Sequence, residues 1–366
     1  MDMTRKEAFV PQWATHPGEH LAEYIEERGW SQAEFARLAG LTPKLVSTII
    51  NGTNPVTPET ALRLEHVLGL KAYIWTGLQA DWDLFQARER ERESAELQAD
   101  WLKQFPVKEL KACGRLPDTR DIGRLFGEML TMLGIGTAQA YDARIGSLAV
   151  HHRRARSATA SPHHLYCWLM LGEERARQSE LPAYDGYRFL QSCAEIRSLT
   201  VHGPDVFEPR MLELCRSAGV ALVFQKPLGK TCVFGSARWM NDERPLIQMS
   251  LRMKSNDHFW WTFFHEAAHI VLHRGKNFVD DQNGEGDGVE AEADAWAEEM
   301  LVGRERFEAF VTTCPSTKQE VAAFAEEVGL HPGIVVGMLQ HRRAVPFSHL
   351  NDLKARFAWA DEVATA

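Results

Sequence analysis

His265-Glu266-Ala267-Ala268-His269 lies inside an apolar stretch running from Phe259 to Leu272, and few five-residue strings constrain a chain more. On a helix, positions i and i+4 share a face, so both imidazoles can reach one metal ion while Glu266 projects beside them toward a water molecule. A helix this apolar all round is a buried one, expected from about His258 to His273 with its cap in Ser255-Asn256-Asp257. Burying two histidines and a glutamate there is costly without partners, and a metal supplies the compensation. The alternative, two satisfied core histidines around a buried glutamate, leaves the acid unexplained. A catalytic zinc takes three protein ligands and keeps one position open, so a third donor is required downstream.

An extended pattern with a third histidine would place it at position 275, where Gly275 stands, which excludes the metzincin class. Beyond the acidic stretch from Asp280 to Gly288 comes Glu290-Ala291-Glu292-Ala293-Asp294-Ala295-Trp296-Ala297, rich in helix formers, in which Glu290 and Asp294 share a face. This resembles the gluzincin arrangement. The resemblance implies that Glu290 completes a Zn2+ site with His265 and His269, and that Asp294 orients one of those histidines through its other ring nitrogen. Glu292 points away from both acids on a helical wheel, and Ala291, Ala293 and Ala295 permit close helix packing. His273, one turn beyond His269, reads as a supporting or core histidine. Asp281, Asn283, Glu285, Gly286 and Glu292 come near a calcium-loop spacing, but Gly275 and Asn277-Phe278-Val279 do not form the entering helix that such a loop needs.

The first seventy residues are a different kind of object. Thr15 with Pro17, Ser31 with Glu34, Thr42-Pro43 and Thr57-Pro58 open four short helices, the last stopping at Gly69. Leu21, Tyr24 and Ile25, then Phe35 and Leu38, then Leu45, Val46, Ile49 and Ile50, then Leu62, Leu64, Val67 and Leu68 supply an apolar face to each. Ala39-Gly40-Leu41 joins the second and third helices by a turn short enough to set them at a steep angle, as in a helix-turn-helix. Gln32, Ala36, Gly40, Val46 and Ile49 keep the spacing of that motif. The stretch from His16 to Leu70 resembles the phage-repressor class and antitoxins of the HigA type. The resemblance implies that Thr42, Lys44, Ser47, Thr48 and Asn51 face the major groove of double-stranded DNA, with Gln32 near phosphate or a base edge. A small helical bundle that binds protein is the alternative. Residues 1–70 hold six Lys or Arg against nine Asp or Glu, so phosphate contacts alone would bind modestly unless a homodimer brings the basic groups together.

A related pattern recurs near the other end. Phe324 to Val335 can be laid over Phe35 to Val46 without a gap, with Phe, Ala, Gly, Leu, Pro and Val coinciding. Gly333 and Gly337 stand where Lys44 and Thr48 stand in the first copy, which suits packing rather than base reading. From Trp82 to Gln104 the chain reads as a charged, solvated helix, and from His151 to His164 as a loop.

The segment from about Phe189 to Phe357 resembles ImmA/IrrE-type metallopeptidases. The resemblance is carried by Gln248-Met249-Ser250, the HEAAH string, the Glu290 to Asp294 helix followed by Met300-Leu301, and the glycine-flanked run from 333 to 337. It implies a regulatory protease that cleaves or controls a repressor or antitoxin-type partner. Glu266 would take a proton from the attacking water and return it to the leaving amine, with zinc supplying Lewis acidity. The strand from Ile247 to Met249, read as alternating with one face exposed, would pair with an extended peptide. The alternative is a DNA-binding repressor or antitoxin whose peptidase fold is a non-catalytic metal- or partner-binding module. The expected class is α+β and mainly helical. Its expected parts are a helix-turn-helix domain (1–78), a helical connector and middle region (79–188), a zincin-like domain with a small sheet (189–312) and a helical carboxy-terminal segment (313–366). A net charge of -9, six scattered cysteines, and the lack of a signal-like amino terminus or a long uncharged span lead to an expectation of a cytoplasmic protein without membrane segments.

Overall fold

The computed structural model describes residues 13–93, 95–149, 160–241, 243–274, 278–280 and 288–360. The calcium-loop-like residues 281–287, Gly275 and Asn277, and the histidine- and arginine-rich stretch up to residue 159 lie outside these. Helices α1 (Pro17–Glu27), α2 (Gln32–Ala39), α3 (Pro43–Ile50), α4 (Pro58–Leu68), α5 (Ala72–Glu93), α6 (Ala95–Leu102), α7 (Val107–Ala112), α8 (Ile122–Leu133), α9 (Ala138–Ala149), α10 (Pro162–Arg177), α11 (Gly186–Ser198) and α12 (Pro204–Ser217) come first. Strands β1 (Ala221–Phe224), β2 (Gly235–Trp239) and β3 (Pro245–Met249) follow, then α13 (Asn256–Leu272), β4 (Phe278–Asp280), α14 (Gly288–Leu301), α15 (Arg304–Thr312), α16 (Lys318–Val328) and α17 (Pro332–His341). The class is α+β and mainly helical. Two compact units divide the chain, residues 1–99 with 120–126, and residues 100–119 with 127–366. Among the described residues, no single helix is long and apolar enough to cross a membrane.

In the smaller unit the caps explain where the helices begin. Ser31 and Glu34 form a reciprocal capping box on α2, and Thr42 and Thr57 each accept from the third backbone N–H of their helix ahead of a first-turn proline. The cap of α1 is His16 rather than Thr15, its Nδ1 accepting from Gly18 N at 2.9 Å. Leu21, Phe35, Val46, Ile49, Leu64 and Trp75 form the core. Leu38 and Leu62, expected inside, are 57% and 52% exposed. The expected faces hold for Leu21, Ile25, Phe35, Val46, Ile49, Leu64 and Leu68, and Leu38 and Leu62 lie outside the buried arc. Successive residues turn by about 100°, so Phe35, Ala36 and Ala39 define an arc that leaves Leu38 at its rim, and Ala61, Leu64 and Leu68 leave Leu62 facing outward.

The larger unit is organised by a four-stranded sheet of order β1-β3-β2-β4. β3 pairs in parallel with β1 (Leu222 opposite Ile247) and antiparallel with β2 (Ala237 opposite Ile247), while β2 pairs antiparallel with β4. Two expectations for β3 fail here. It is central, with both edges already taken, so it cannot add a peptide strand, and it is buried along its whole length rather than on one face. The missing cover is α10, from the middle region. Gln248 Nε2 donates to Trp168 O at 2.8 Å and Arg238 donates to Leu169 O and Gln248 Oε1, both at 2.9 Å. A Cβ on Gly172 would come within 2.1 Å of the Gln248 side chain, so a glycine is what lets α10 lie this close. Ser161 caps α10, so the loop-like stretch ends before His163 and His164, which sit in the first helical turn.

α16 and α17 repeat the turn of α2 and α3. Thr317 and Glu320 form a second capping box, and Gly329 (φ 68°) takes the left-handed conformation that Gly40 (φ 64°) takes in the first copy. The partner differs. Gly333 and Gly337 of α17 lie against Asn256 and Asp257 at the start of α13, where a Cβ would come within 2.8 Å and 2.5 Å of those side chains. Residues that in the first copy project outward are here replaced by glycines because a helix passes over them.

Candidate metal centre and recognition helix

α13 forms because it is a buried apolar helix held between the sheet, α14 and α17, with Trp260, Phe263, Phe264 and Ile270 in the core. That setting buries His265, Glu266 and His269 at 5%, 0% and 1% exposure. α14 packs on it through Ala293 and Ala297, both fully buried, whereas Ala291 and Ala295 face outward. This contact carries Glu290 to the two histidines.

The three donors form a near-regular triangle. His265 Nε2 and His269 Nε2 are 3.1 Å apart, and Glu290 Oε2 lies 3.2 Å from the first and 3.4 Å from the second. Tetrahedral ligands at zinc bond lengths stand about 3.3 Å from one another, so donor type and spacing both fit that ion. The charge states suit it too. Burial, with the neighbouring His265 and His273, outweighs the effect of Glu290 and lowers the pKa of His269. For Glu290, burial acts to raise the pKa, but hydrogen bonds and charge from His265 and His269 outweigh it and hold the carboxyl well below the usual range.

Behind the triangle each imidazole has a partner. Asp294 Oδ1 lies 2.9 Å from His265 Nδ1, in the place the sequence assigned to it. His269 Nδ1 faces His273 Nδ1 at 3.1 Å, and His273 Nε2 faces Glu292 Oε2 at 3.1 Å. Glu292 was expected to point away. It does lie off the face shared by Glu290 and Asp294 and is mostly exposed, but it reaches His273, one turn beyond His269 at the end of α13.

Glu266 lies on the neighbouring flank, against the sheet. A Cβ on Gly235 would stand 2.7 Å from Glu266 Oε1 and 2.7 Å from Thr262 Cγ2, so β2 approaches α13 through a position that has no side chain. Gly235 was not among the residues singled out from sequence. An isolated glycine entering a strand is the signal that marks such close approaches.

On α3, the helix expected to read DNA, Lys44 and the flanking Gln32, Thr42 and Asn51 are exposed, and Ser47 and Thr48 are half-buried. Thr42 Oγ1 is engaged as the cap, and Thr48 Oγ1 donates to Lys44 O and Leu45 O, both at 3.0 Å.

The profile of the helix-turn-helix family matches residues 21–75, and that of the IrrE N-terminal-like domain matches residues 223–339, which spans the sheet, α13 and α14. Over 71 residues the chain is 35% identical to the uncharacterized HTH-type transcriptional regulator YddM of Escherichia coli (strain K12), covering 19% of this chain and 76% of that protein. The chain belongs to the helix-turn-helix family and carries an IrrE N-terminal-like domain. Virulence-associated protein I of Dichelobacter nodosus is 34% identical over 77 residues, covering 21% of this chain and 71% of its own. Solved structures similar to the chain include antitoxin GraA (35% identity, 21% of this chain, 83% of that one, TM-score 0.21). Another is an addiction module antidote protein of a HigA family from Coxiella burnetii (31% identity, 22% and 90%, TM-score 0.21). The helix-turn-helix family places DNA binding in the smaller unit, and the IrrE-like domain is of a peptidase family.

Proposed function

We propose that the chain is a DNA-binding regulator whose IrrE-like domain is a zinc-dependent endopeptidase, cleaving or controlling a repressor or antitoxin-type partner. The observation that carries this reading is the triangle of His265, His269 and Glu290 with Glu266 buried beside it. Zinc held by those three residues supplies Lewis acidity for attack on a carbonyl. Glu266 accepts the proton of the attacking water at a carboxylate oxygen and passes it to the leaving amine. Asp294 keeps His265 oriented by holding Nδ1. Main-chain pairing with an extended peptide falls to β4 instead of β3, because β4 is a sheet edge and its Asp280 pairs with Gly235, the residue against Glu266.

The complete burial of Glu266 favours a second reading, in which the centre binds metal or a partner without turnover. Metal analysis joined to cleavage assays on proteins encoded beside this one separates the two, since zinc without cleavage of any of them supports the second. Glu290→Ala is expected to lower zinc content sharply, with the protein still folded by circular dichroism. Stoichiometric zinc in that variant would remove Glu290 from the ligand set.

For the smaller unit, Lys44→Ala combined with Ser47→Ala is expected to weaken operator binding by about tenfold or more, each good base contact being worth about 1–3 kcal/mol. Fluorescence anisotropy on an operator from a genomic binding selection measures this. A selection that yields no operator would turn the reading toward a protein-binding module.

A further inference from the structure

We propose that Glu292 and His273 are positioning residues that fix the tautomer of His269, so that its Nε2 is always the unprotonated, metal-facing nitrogen. The inference rests on reading His265, His269 and Glu290 as metal ligands. Its basis is a single run of contacts from the centre to the surface: His269 Nδ1 to His273 Nδ1 at 3.1 Å, then His273 Nε2 to Glu292 Oε2 at 3.1 Å.

With both imidazoles neutral, one arrangement of protons along the run leaves His269 Nε2 to a metal ion. An ionised carboxylate only accepts, so His273 carries its proton on Nε2 and donates it to Glu292. A neutral imidazole with a proton on Nε2 offers a lone pair at Nδ1, so His273 accepts at that atom. His269 is therefore the donor across the contact between the two Nδ1 atoms. With a metal ion in place of the contact to Glu290, its proton sits on Nδ1, and Nε2 is the nitrogen left for that ion. Without Glu292, the run no longer holds the His273 proton on Nε2, and the proton can pass to Nδ1. His273 would then donate to His269 Nδ1, forcing the His269 proton onto Nε2, where it blocks ligation. Asp294 settles the same choice for His265 directly, so the two ligating histidines are set by different devices. Glu292 is 67% exposed and His273 only 6%, which puts the control of a buried ligand on a surface carboxylate.

The test measures zinc affinity by chelator competition on the full chain. Carboxylates that orient a ligating histidine are worth roughly 10–100-fold in metal affinity, and Glu292→Ala is expected to lose that much. His273→Phe, which offers no acceptor, is expected to lose as much. His273→Asn should stay near the native affinity, because its amide oxygen accepts from His269 Nδ1 whatever residue 292 is, and adding Glu292→Ala to it should cost nothing further. Histidine-selective 15N spectra of the metal-free chain give a readout that general loosening of the fold would not move. The share of His269 protonated on Nδ1 should be larger in the native chain than in Glu292→Ala. Unchanged affinity in Glu292→Ala, or an equal loss with His273 and with Asn at 273, overturns the relay. If the native chain binds zinc no better than a His265→Ala, His269→Ala double variant, the metal reading falls instead, and the spectra still decide the relay.

Discussion

Exchanging Glu266 for Gln is expected to slow peptide cleavage by about 100- to 10,000-fold while stoichiometric zinc is retained. The two effects separate because Glu266 belongs to a different part of the site from the ligands. His265, His269 and Glu290 converge on one another, whereas the Glu266 carboxylate lies beside Gly235 of β2. Glutamine has nearly the same volume, so the fully buried position keeps its packing. What is lost is the capacity to take a proton from water. Turnover of a protein substrate by native and variant chains, with zinc measured on the same samples, tests the expectation. Native-like turnover in the variant would remove Glu266 as the base, and loss of zinc would make it part of the metal site.

The second large effect lies at the other end of α13. Lys354 Nζ contacts Asp257 Oδ2 at 2.6 Å and donates to Gln340 Oε1 at 2.7 Å, and the two charged side chains are 12% and 6% exposed. Around this pair the carboxy-terminal segment is tied to the start of α13, with Asn256 N donating to Ala355 O and Ala355 N to Asn256 Oδ1. Lys354→Met leaves a buried carboxylate without its cation and is expected to destabilise the larger unit by about 3–5 kcal/mol at neutral pH. The pH dependence follows from Asp257. Burial acts to raise its pKa, but hydrogen bonds from Lys354 and Ser255 and nearby positive charge bring it below the ordinary value of 3.8. A carboxyl lowered in the folded state stabilises above its unfolded value and loses that contribution as the pH falls through the folded value. The gap between native and variant should therefore be full at neutral pH and shrink below about pH 4. Chemical unfolding followed at several pH values measures it, and equal midpoints at pH 7 would show that the pair contributes nothing net.

What the sequence disclosed about the site follows from regular geometry. His265, His269, Glu290 and Asp294 were legible because each pair is spaced by one helical turn and acts from within a helix. Glu292 was not, because its contact with His273 joins two helices, and a wheel drawn for one helix says nothing of what its other face meets. The helix boundaries of the smaller unit were legible from caps and prolines. The exposure of Leu38 and Leu62 was not, since an eight- or eleven-residue helix has too few turns to fix which way its apolar arc faces. The central place of β3 was hidden for a different reason. It depends on α10, whose sequence carries no motif and whose contact with the sheet is made by Gln248, Arg238 and the absence of a side chain at Gly172.

Gly235 gives the sheet a hold on the Glu266 side chain that no functional group of its own would provide. The distance between β2 and α13 at this point is set by a hydrogen where other residues carry carbon, and the Glu266 carboxylate occupies the room so gained. The site thus has a wall as well as ligands, and the wall can be moved alone. A methyl group at residue 235 would press on Glu266 and Thr262 while leaving every proton-transferring and metal-facing atom chemically unaltered. The placement of the Glu266 side chain is in that sense a property of strand spacing, adjustable from a residue that has nothing to ionise.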